Sequence, residues 1–341
     1  MDSNANFTTV SSYNARMAKT GIQFFRYILA CLMALTGYVL ILTQYFGENK
    51  DWSVYSRYYD YFISGWGTQL TQVEPLFHLL FSITSEMHID LLSVLGGIAL
   101  TSLLIKFFVI TKISRSIIPV IMYCAAMYPL HEYTQIRVAL AISFCYLYLL
   151  LCTEHKKTSV ILLCLIAITH TSCFLFILFC IASKKLYSYK FNKSLFLSIS
   201  ALVIISVSIQ FVAAVLGSSN LVNYLAGDVV DKKPVVFSIT NIIFFFYSMS
   251  FLYTGIQYKN RGVYIAALLS SIAVPIAFIF YSYPVLADRF KELFFSFGVI
   301  TFSYLLKYFR FTPKYIIAFL LYFLFCASSV VVYLNNGLLF R

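Results

Sequence analysis

The sequence predicts an all-α, polytopic membrane protein, and three observations carry that prediction. Hydrophobic residues make up 61% of the 341 residues and charged residues only 11%, whereas a soluble domain is roughly 45–50% apolar. Mean hydropathy is +0.84. Apolar runs of about 20 residues recur from end to end, and each is long enough to cross roughly 30 Å of hydrocarbon. Together they call for about nine to eleven transmembrane helices, one or two of them re-entrant or broken. A single integral membrane domain over 1–341 is expected, with a polar cytoplasmic N-terminus at 1–21. No small-residue cleavage site follows the first apolar segment, so no cleavable signal peptide is expected.

Basic clusters punctuate the runs and give each its boundaries. The run 22–46 follows the polar opening. Runs 91–110 and 116–131 flank Lys112 and Arg115, and 136–152 ends ahead of Lys156 and Lys157. Run 194–216 follows Lys184, Lys185, Lys190 and Lys193, while 235–257 and 263–281 flank Lys259 and Arg261. The last two, 293–306 and 315–335, flank Lys307, Arg310 and Lys314. Two segments are ambiguous. Residues 72–88 are interrupted by Glu74, Pro75 and His78, and 158–182 is broken at Thr169-His170-Thr171-Ser172, as one span or two half-helices.

Charge asymmetry chooses between the topologies. The net charge of +12 sits in the short loops, where Lys and Arg set orientation by staying cytoplasmic. No aromatic-interleaved basic groove for single strands is visible, so nucleic acid is not an expected partner. If neither ambiguous segment crosses, every basic cluster falls in the cytoplasm and all acidic residues but Asp2 and Glu154 face outward. If both cross, Lys112, Arg115, Lys156 and Lys157 move outside. The first arrangement is preferred, with nine full spans and two re-entrant segments. The eight cysteines all lie in apolar runs without a Cys-x-x-Cys spacing, which suits small packing hydrophobes and suggests neither zinc nor disulfides.

Ionisable side chains inside a membrane are costly and mark functional sites. Between Tyr128 and Ala141 the chain reads YPLHEYTQIRVALA, which puts His131, Glu132 and Arg137 at a joint between two apolar runs. Arg137 offers a rigid fork of donors suited to phosphate or pyrophosphate; its other reading is a topological anchor paired with Glu132. Arg289, in the loop 282–292, is a second candidate for the same role, or an ordinary loop partner of Asp288 or Glu292. His170 is either a hydrogen-bonded core residue or, when neutral, a general base. Glu74-Pro75 reads as a helix start, and its carboxylate could also act as a base or bind hydroxyls. The expected outer loop, 47–73, carries Asp51, Tyr55, Tyr59 and Asp60; its aromatics fit an interfacial belt or a carbohydrate surface.

Asp51…Tyr55…Tyr59, Glu74-Pro75, Gln135-x-Arg137 with Ala139 and Ala141, His170-Thr171 and a late Arg289 together resemble the EpsG/Wzy-type polysaccharide polymerases. Gln135-x-Arg137 departs from the adjacent Arg-Gln pair of many members. The resemblance implies a multi-pass glycosyltransferase of the bacterial inner membrane. It would move a growing glycan from one undecaprenyl-pyrophosphate to a repeat unit on another, without a nucleotide sugar. It further implies pyrophosphate ligands at Arg137 and Arg289, a base among His170, Glu132 and Glu74, and sugar contacts at Asp51, Tyr55, Tyr59, Asp60 and Gln135. No metal or other cofactor is expected, since no DxD-type motif is present. Membrane lipids, a chain-length regulator and a flippase would be partners. Two other classes compete. A transporter or flippase of lipid-linked oligosaccharide shares broken helices and buried charges, but duplicated halves are not visible. A membrane O-acyltransferase is suggested by Arg26-Tyr-Ile-Leu-Ala30, but its first span should hold a histidine, and the first here is His78.

Overall fold

A computed structural model describes residues 4–43, 51–67, 73–154, 160–216, 237–281 and 283–335. They form fourteen α-helices without a strand among the described residues. The first four are α1 (Asn4–Leu42), α2 (Trp52–Ile63), α3 (Pro75–Glu86) and α4 (Leu91–Ser114). Then come α5 (Ile118–Ala126), α6 (Tyr128–His131), α7 (Ile136–Thr153), α8 (Val160–Thr169) and α9 (Phe174–Leu186). The rest are α10 (Phe191–Leu216), α11 (Ile239–Tyr253), α12 (Arg261–Ile279), α13 (Pro284–Lys307) and α14 (Pro313–Asn335).

Among the described residues five helical segments are long and apolar enough to cross a membrane: Thr20–Leu42, α4, Phe191–Ser208, α12 and α14. Shorter apolar helices, α7, α8, α9 and α11, fill the space between them. The chain is a multi-pass membrane protein. Helix α12 is the hub. Nearly every residue of it is buried, because Gly262, Ala266, Ala267, Ser270, Ser271, Ala273 and Ala277 let neighbours approach closely. By contrast α1, α10 and α14 leave broad apolar faces open, as lipid-facing helices do. Gly298 of α13 serves the same close packing: a Cβ there would sit 2.6 Å from the Phe244 ring. The starts of three helices are fixed by caps. Asp90 accepts from the Ser93 amide (2.9 Å), Ser238 from Asn241 (3.1 Å) and Asn260 from Val263 (2.9 Å).

Contacts at the helix ends fix which segments share a level. Helix α1 runs antiparallel to α4, with Arg26 donating to the Arg115 carbonyl and Tyr128 donating to the Gly37 carbonyl at 2.7 Å. Lys112 pairs with Glu154 at 2.9 Å, so α7 ends where α4 ends. Arg261 donates to the Cys180 carbonyl and Ser183 hydroxyl, which brings the end of α9 to the start of α12. These contacts gather Arg26, Lys112, Arg115 and Arg261 at one end. His170, between α8 and α9, lies instead at the level of Glu74, near the other end of the bundle. The segment 158–182, as far as its described residues go, is therefore a hairpin that rises to His170 and returns. Helices α2 and α3 cap the end where α4 begins: Tyr59 donates to the Ile89 carbonyl at 2.5 Å.

Two expectations are revised and a third segment gains detail. The stretch expected as an outer loop at 47–73 contains α2, whose Tyr55 and Tyr59 repeat at i, i+4 and pack inward. The polar opening is helical from Asn4. The run 116–131 is not one span: α5 has nine residues, about 14 Å of rise, and the backbone turns at Met127 ahead of Pro129.

The joint after it lies deep. Glu132 reaches Lys106 Nζ at 2.5 Å, Tyr123 at 2.6 Å and Ser102 at 3.2 Å, and all four side chains are buried. Counting along α4 from Asp90, that is about 18–24 Å from the start of the helix. A charged pair with every oxygen satisfied survives such a place, whereas removal of one partner strands the other charge. Lys106→Met or Glu132→Gln alone should each destabilise the folded protein by about 3–5 kcal/mol. The double variant Lys106→Met/Glu132→Gln should recover most of that loss. Thermal unfolding in a fixed detergent checks this, and additive losses in the double variant would exclude a coupled pair.

Candidate functional site

Four elements converge on one carboxylate. Glu74 is the residue before α3, with extended backbone (φ −61°, ψ 144°) and Pro75 in the first turn. Its side chain makes no cap on its own helix, so both oxygens point elsewhere. Oε2 accepts from Arg137 Nη1 at 2.5 Å, and Oε1 meets His170 Nδ1 at 2.7 Å. Glu74 is 8% exposed, His170 5%, and Arg137 is also largely enclosed. The Arg137 guanidinium lies 5.4 Å from the centre of the Tyr55 ring, which adds a cation–π contact from α2.

Local backbone explains each placement. Arg137 occupies the first turn of α7, where a cation opposes the helix dipole; Glu74 supplies the missing negative charge. His170 sits in an extended residue (φ −160°, ψ 127°) between α8 and a 3-10 turn at Thr171–Cys173, so the ring is carried on the hairpin tip. Burial favours the protonated form of Glu74, but the His170 hydrogen bond and the Arg137 charge prevail. They hold its carboxyl at about 2, below the ordinary 4.5. An ionised carboxylate only accepts, so His170 Nδ1 carries the hydrogen. In the neutral ring Nε2 is then the lone-pair nitrogen, and it is buried without a hydrogen-bond partner among the described residues. A fixed tautomer with an unpartnered Nε2 is the arrangement a proton acceptor needs.

The other sequence candidates fall around this centre in different ways. Gln135, the residue before α7, donates to Glu292 at 2.8 Å and so ties the joint to α13. Burial pushes the Glu292 carboxyl up, with the Gln135 hydrogen bond opposing. Arg289 is half-buried on α13, one turn before Glu292, and no hydrogen bond or ion pair joins it to Glu74, Arg137 or His170. Tyr59 is a buried packing residue against Phe81. Asp51 precedes α2, and Asp60 is exposed in an open groove on that helix with Ser53, Ser56, Arg57 and Ser64. Glu132 is held by Lys106, Tyr123 and Ser102, away from the Glu74 cluster. Lys106 was not singled out by sequence reasoning. Its signal was a lone cation inside an apolar run, which demands a carboxylate partner. Among the described residues no group of three or more His, Cys, Asp and Glu side chains is arranged to hold a metal ion. The eight cysteines are free thiols, five of them buried.

The family model described as "EpsG family" matches residues 27–340, nearly the whole chain. The chain belongs to the EpsG family. Comparison with curated proteins and with solved structures returns no match. EpsG membership points to a membrane polysaccharide polymerase of glycosyltransferase type. In this EpsG chain, the match spans Glu74, Arg137 and His170 together with the helices that carry them.

The ionised state of Glu74 is linked to stability. Its folded value lies below 4.5, so the contribution is present above pH 4.5 and lost as pH falls toward about 2. Across that window the Tm of the wild type should fall more steeply than that of Glu74→Gln. Parallel curves would show that Glu74 does not draw charge stabilisation from Arg137 and His170.

Proposed function

We propose that this EpsG-family protein polymerises lipid-linked oligosaccharide repeat units at the outer face of the bacterial inner membrane. The donor is a growing glycan on undecaprenyl pyrophosphate, and the acceptor is a sugar hydroxyl of a second lipid-linked unit. The single observation that carries the reading is the Glu74–His170 contact with an unpartnered Nε2, beside Arg137. Nε2 takes the proton of the acceptor hydroxyl as its oxygen bonds to the anomeric carbon of the donor. The bond from that carbon to the pyrophosphate oxygen breaks, and the electron pair leaves with the pyrophosphate. Arg137 has five N–H donors and commits one to Glu74; the others are available to a phosphate. Arg289, one turn from the Gln135–Glu292 link, is a second cation for the same leaving group. Asp51, Asp60 and the α2 groove form the sugar surface, with Tyr55 beneath Arg137. Glu132 is assigned no chemical role, since its oxygens are taken.

His170→Ala should slow chain extension by about 10²–10⁴-fold at normal protein abundance, with lipid-linked substrate still bound through the arginines. Arg137→Lys should rescue poorly, since a point charge does not replace a bidentate fork. Gel analysis of glycan length and a purified extension assay give the readouts. Full-length glycan from His170→Ala would move the base elsewhere, and full activity of Arg137→Ala would remove the pyrophosphate role. The reading involves no metal, so EDTA should leave the rate unchanged, and inactivation reversed by magnesium would contradict it.

Sidedness is tested separately. In a background with Cys31 and Cys164 replaced by Ser, Ser53→Cys on α2 should react with an impermeant thiol reagent from outside. Ser188→Cys, beyond α9, should react only after the membrane is opened. The reverse pattern would invert the protein and put the site on the wrong face for this substrate.

A further inference from the structure

The end of the bundle opposite Glu74 holds a second cluster that the polymerase reading does not use. There Arg26 of α1 donates to the carbonyl of Arg115, which ends α4 in the left-handed region (φ 54°). The two guanidinium groups line one groove of about 640 Å³, together with Thr20, Gln23 and Tyr27. Lys307, at the end of α13, feels the charges of both Arg115 and Glu154. Three cations thus converge. Among the described residues Glu154 is the carboxylate at this end, and Lys112 lies 2.9 Å from it. Neither Arg26 nor Arg115 has an ion pair with a described carboxylate. Unpaired like charges repel, and a site built this way is complete only with an anion.

The depth of the groove identifies the anion. The first apolar run begins at residue 22, four residues before Arg26, and Arg115 follows the last residue of α4, so the groove lies at the hydrocarbon boundary. Directly beyond it, Phe25, Ile28 and Leu32 of α1 are exposed and continue the surface into the apolar zone. A ligand with a phosphate at the boundary and acyl chains below it fits both parts. Basic pockets between membrane helices on the cytoplasmic side are suited to acidic lipid headgroups. We infer that Arg26 and Arg115 form a binding site for the headgroup phosphate of an anionic phospholipid of the cytoplasmic leaflet.

The test is lipid retention by the intact chain, measured by native mass spectrometry from neutral detergent. Wild type should retain phosphatidylglycerol in preference to phosphatidylcholine. Arg26→Gln/Arg115→Gln should lower phosphatidylglycerol affinity by about tenfold or more, as the loss of two interfacial charges implies. Lys190→Gln/Lys193→Gln removes the same charge elsewhere and should leave that affinity unchanged. Equal retention of the two lipids by wild type would overturn the site, and so would equal losses in the two double variants. Displacement of phosphatidylglycerol by millimolar inorganic phosphate would assign the groove to a free phosphate and overturn the lipid assignment. Should Arg26→Gln/Arg115→Gln fail to fold, Arg26→Lys/Arg115→Lys keeps the charge, and its retention of the preference supports the site while its loss of preference at normal Tm counts against it.

Discussion

A charge in hydrocarbon is tolerated only beside an opposite charge held at short range, and two carboxylates of this chain meet that constraint in ways that shape everything around them. Lys106 sits inside an apolar helix, where an unpaired ammonium would cost about 2.5–3.5 kcal/mol on insertion scales. Glu132 neutralises it at 2.5 Å, and to do so the joint between α6 and α7 must dip into the bundle. That dip keeps α5 short and starts α7 below the start of α4, where Ile136 and Leu140 share a core with Val94, Leu95 and Ile98. Arg137 follows one residue after Ile136, so its height is set by the Glu132 anchor five residues earlier. Glu74 then meets it from α3.

Glu74 does two things with its two oxygens, and they are separable in principle. Oε2 neutralises Arg137, a matter of charge; Oε1 orients His170, a matter of tautomer. A change at Glu74 disturbs both, whereas Arg137 and His170 can be altered one at a time. Rigid support of this kind matters because the reacting groups of a site must be held within a fraction of an ångström. Here the support comes from three independent directions: a proline-started helix, a helix first turn and a hairpin tip. The Gln135–Glu292 link adds a fourth, from α13. None of these groups lies on a long loop.

The fold class was legible because composition and run length act additively along the chain and need no tertiary knowledge. Glu74, Arg137 and His170 were each visible as polar residues in apolar surroundings. Their mutual contact was not, since 63 and 96 residues separate Glu74 from its two partners, and spacing of that order carries no geometric information. The joint shows a different failure. Hydropathy made 116–131 look like a span, because a half-length helix followed by a buried polar turn has the same average as a full one. What hydropathy cannot see is that Glu132 has a partner inside the bundle. Lys106 was overlooked for the converse reason: one cation in a 24-residue helix barely moves its mean hydropathy, although its burial dictates the path of the neighbouring segment. No hydrogen bond or ion pair joins Arg289 or Asp60 to the central cluster, and their motif positions did not reveal that.

Depth also bears on the proposed chemistry. The Ile136 level lies about 6–12 Å along α4 from Asp90, so the Glu74 cluster is enclosed rather than set in bulk water. In such surroundings the attraction between Arg137 and a pyrophosphate is far stronger than at an exposed surface, and competing water is held back from the activated anomeric carbon. A fully exposed histidine would face the opposite problem: solvent would serve as acceptor, and the glycan would be released instead of extended. On the proposed reading the hairpin is therefore a positional device. It carries a base to the level where a membrane-anchored pyrophosphate arrives, while α2 and α3 cover that level and present the hydroxyl-rich groove of Ser53, Ser56, Asp60 and Ser64 to the sugars above.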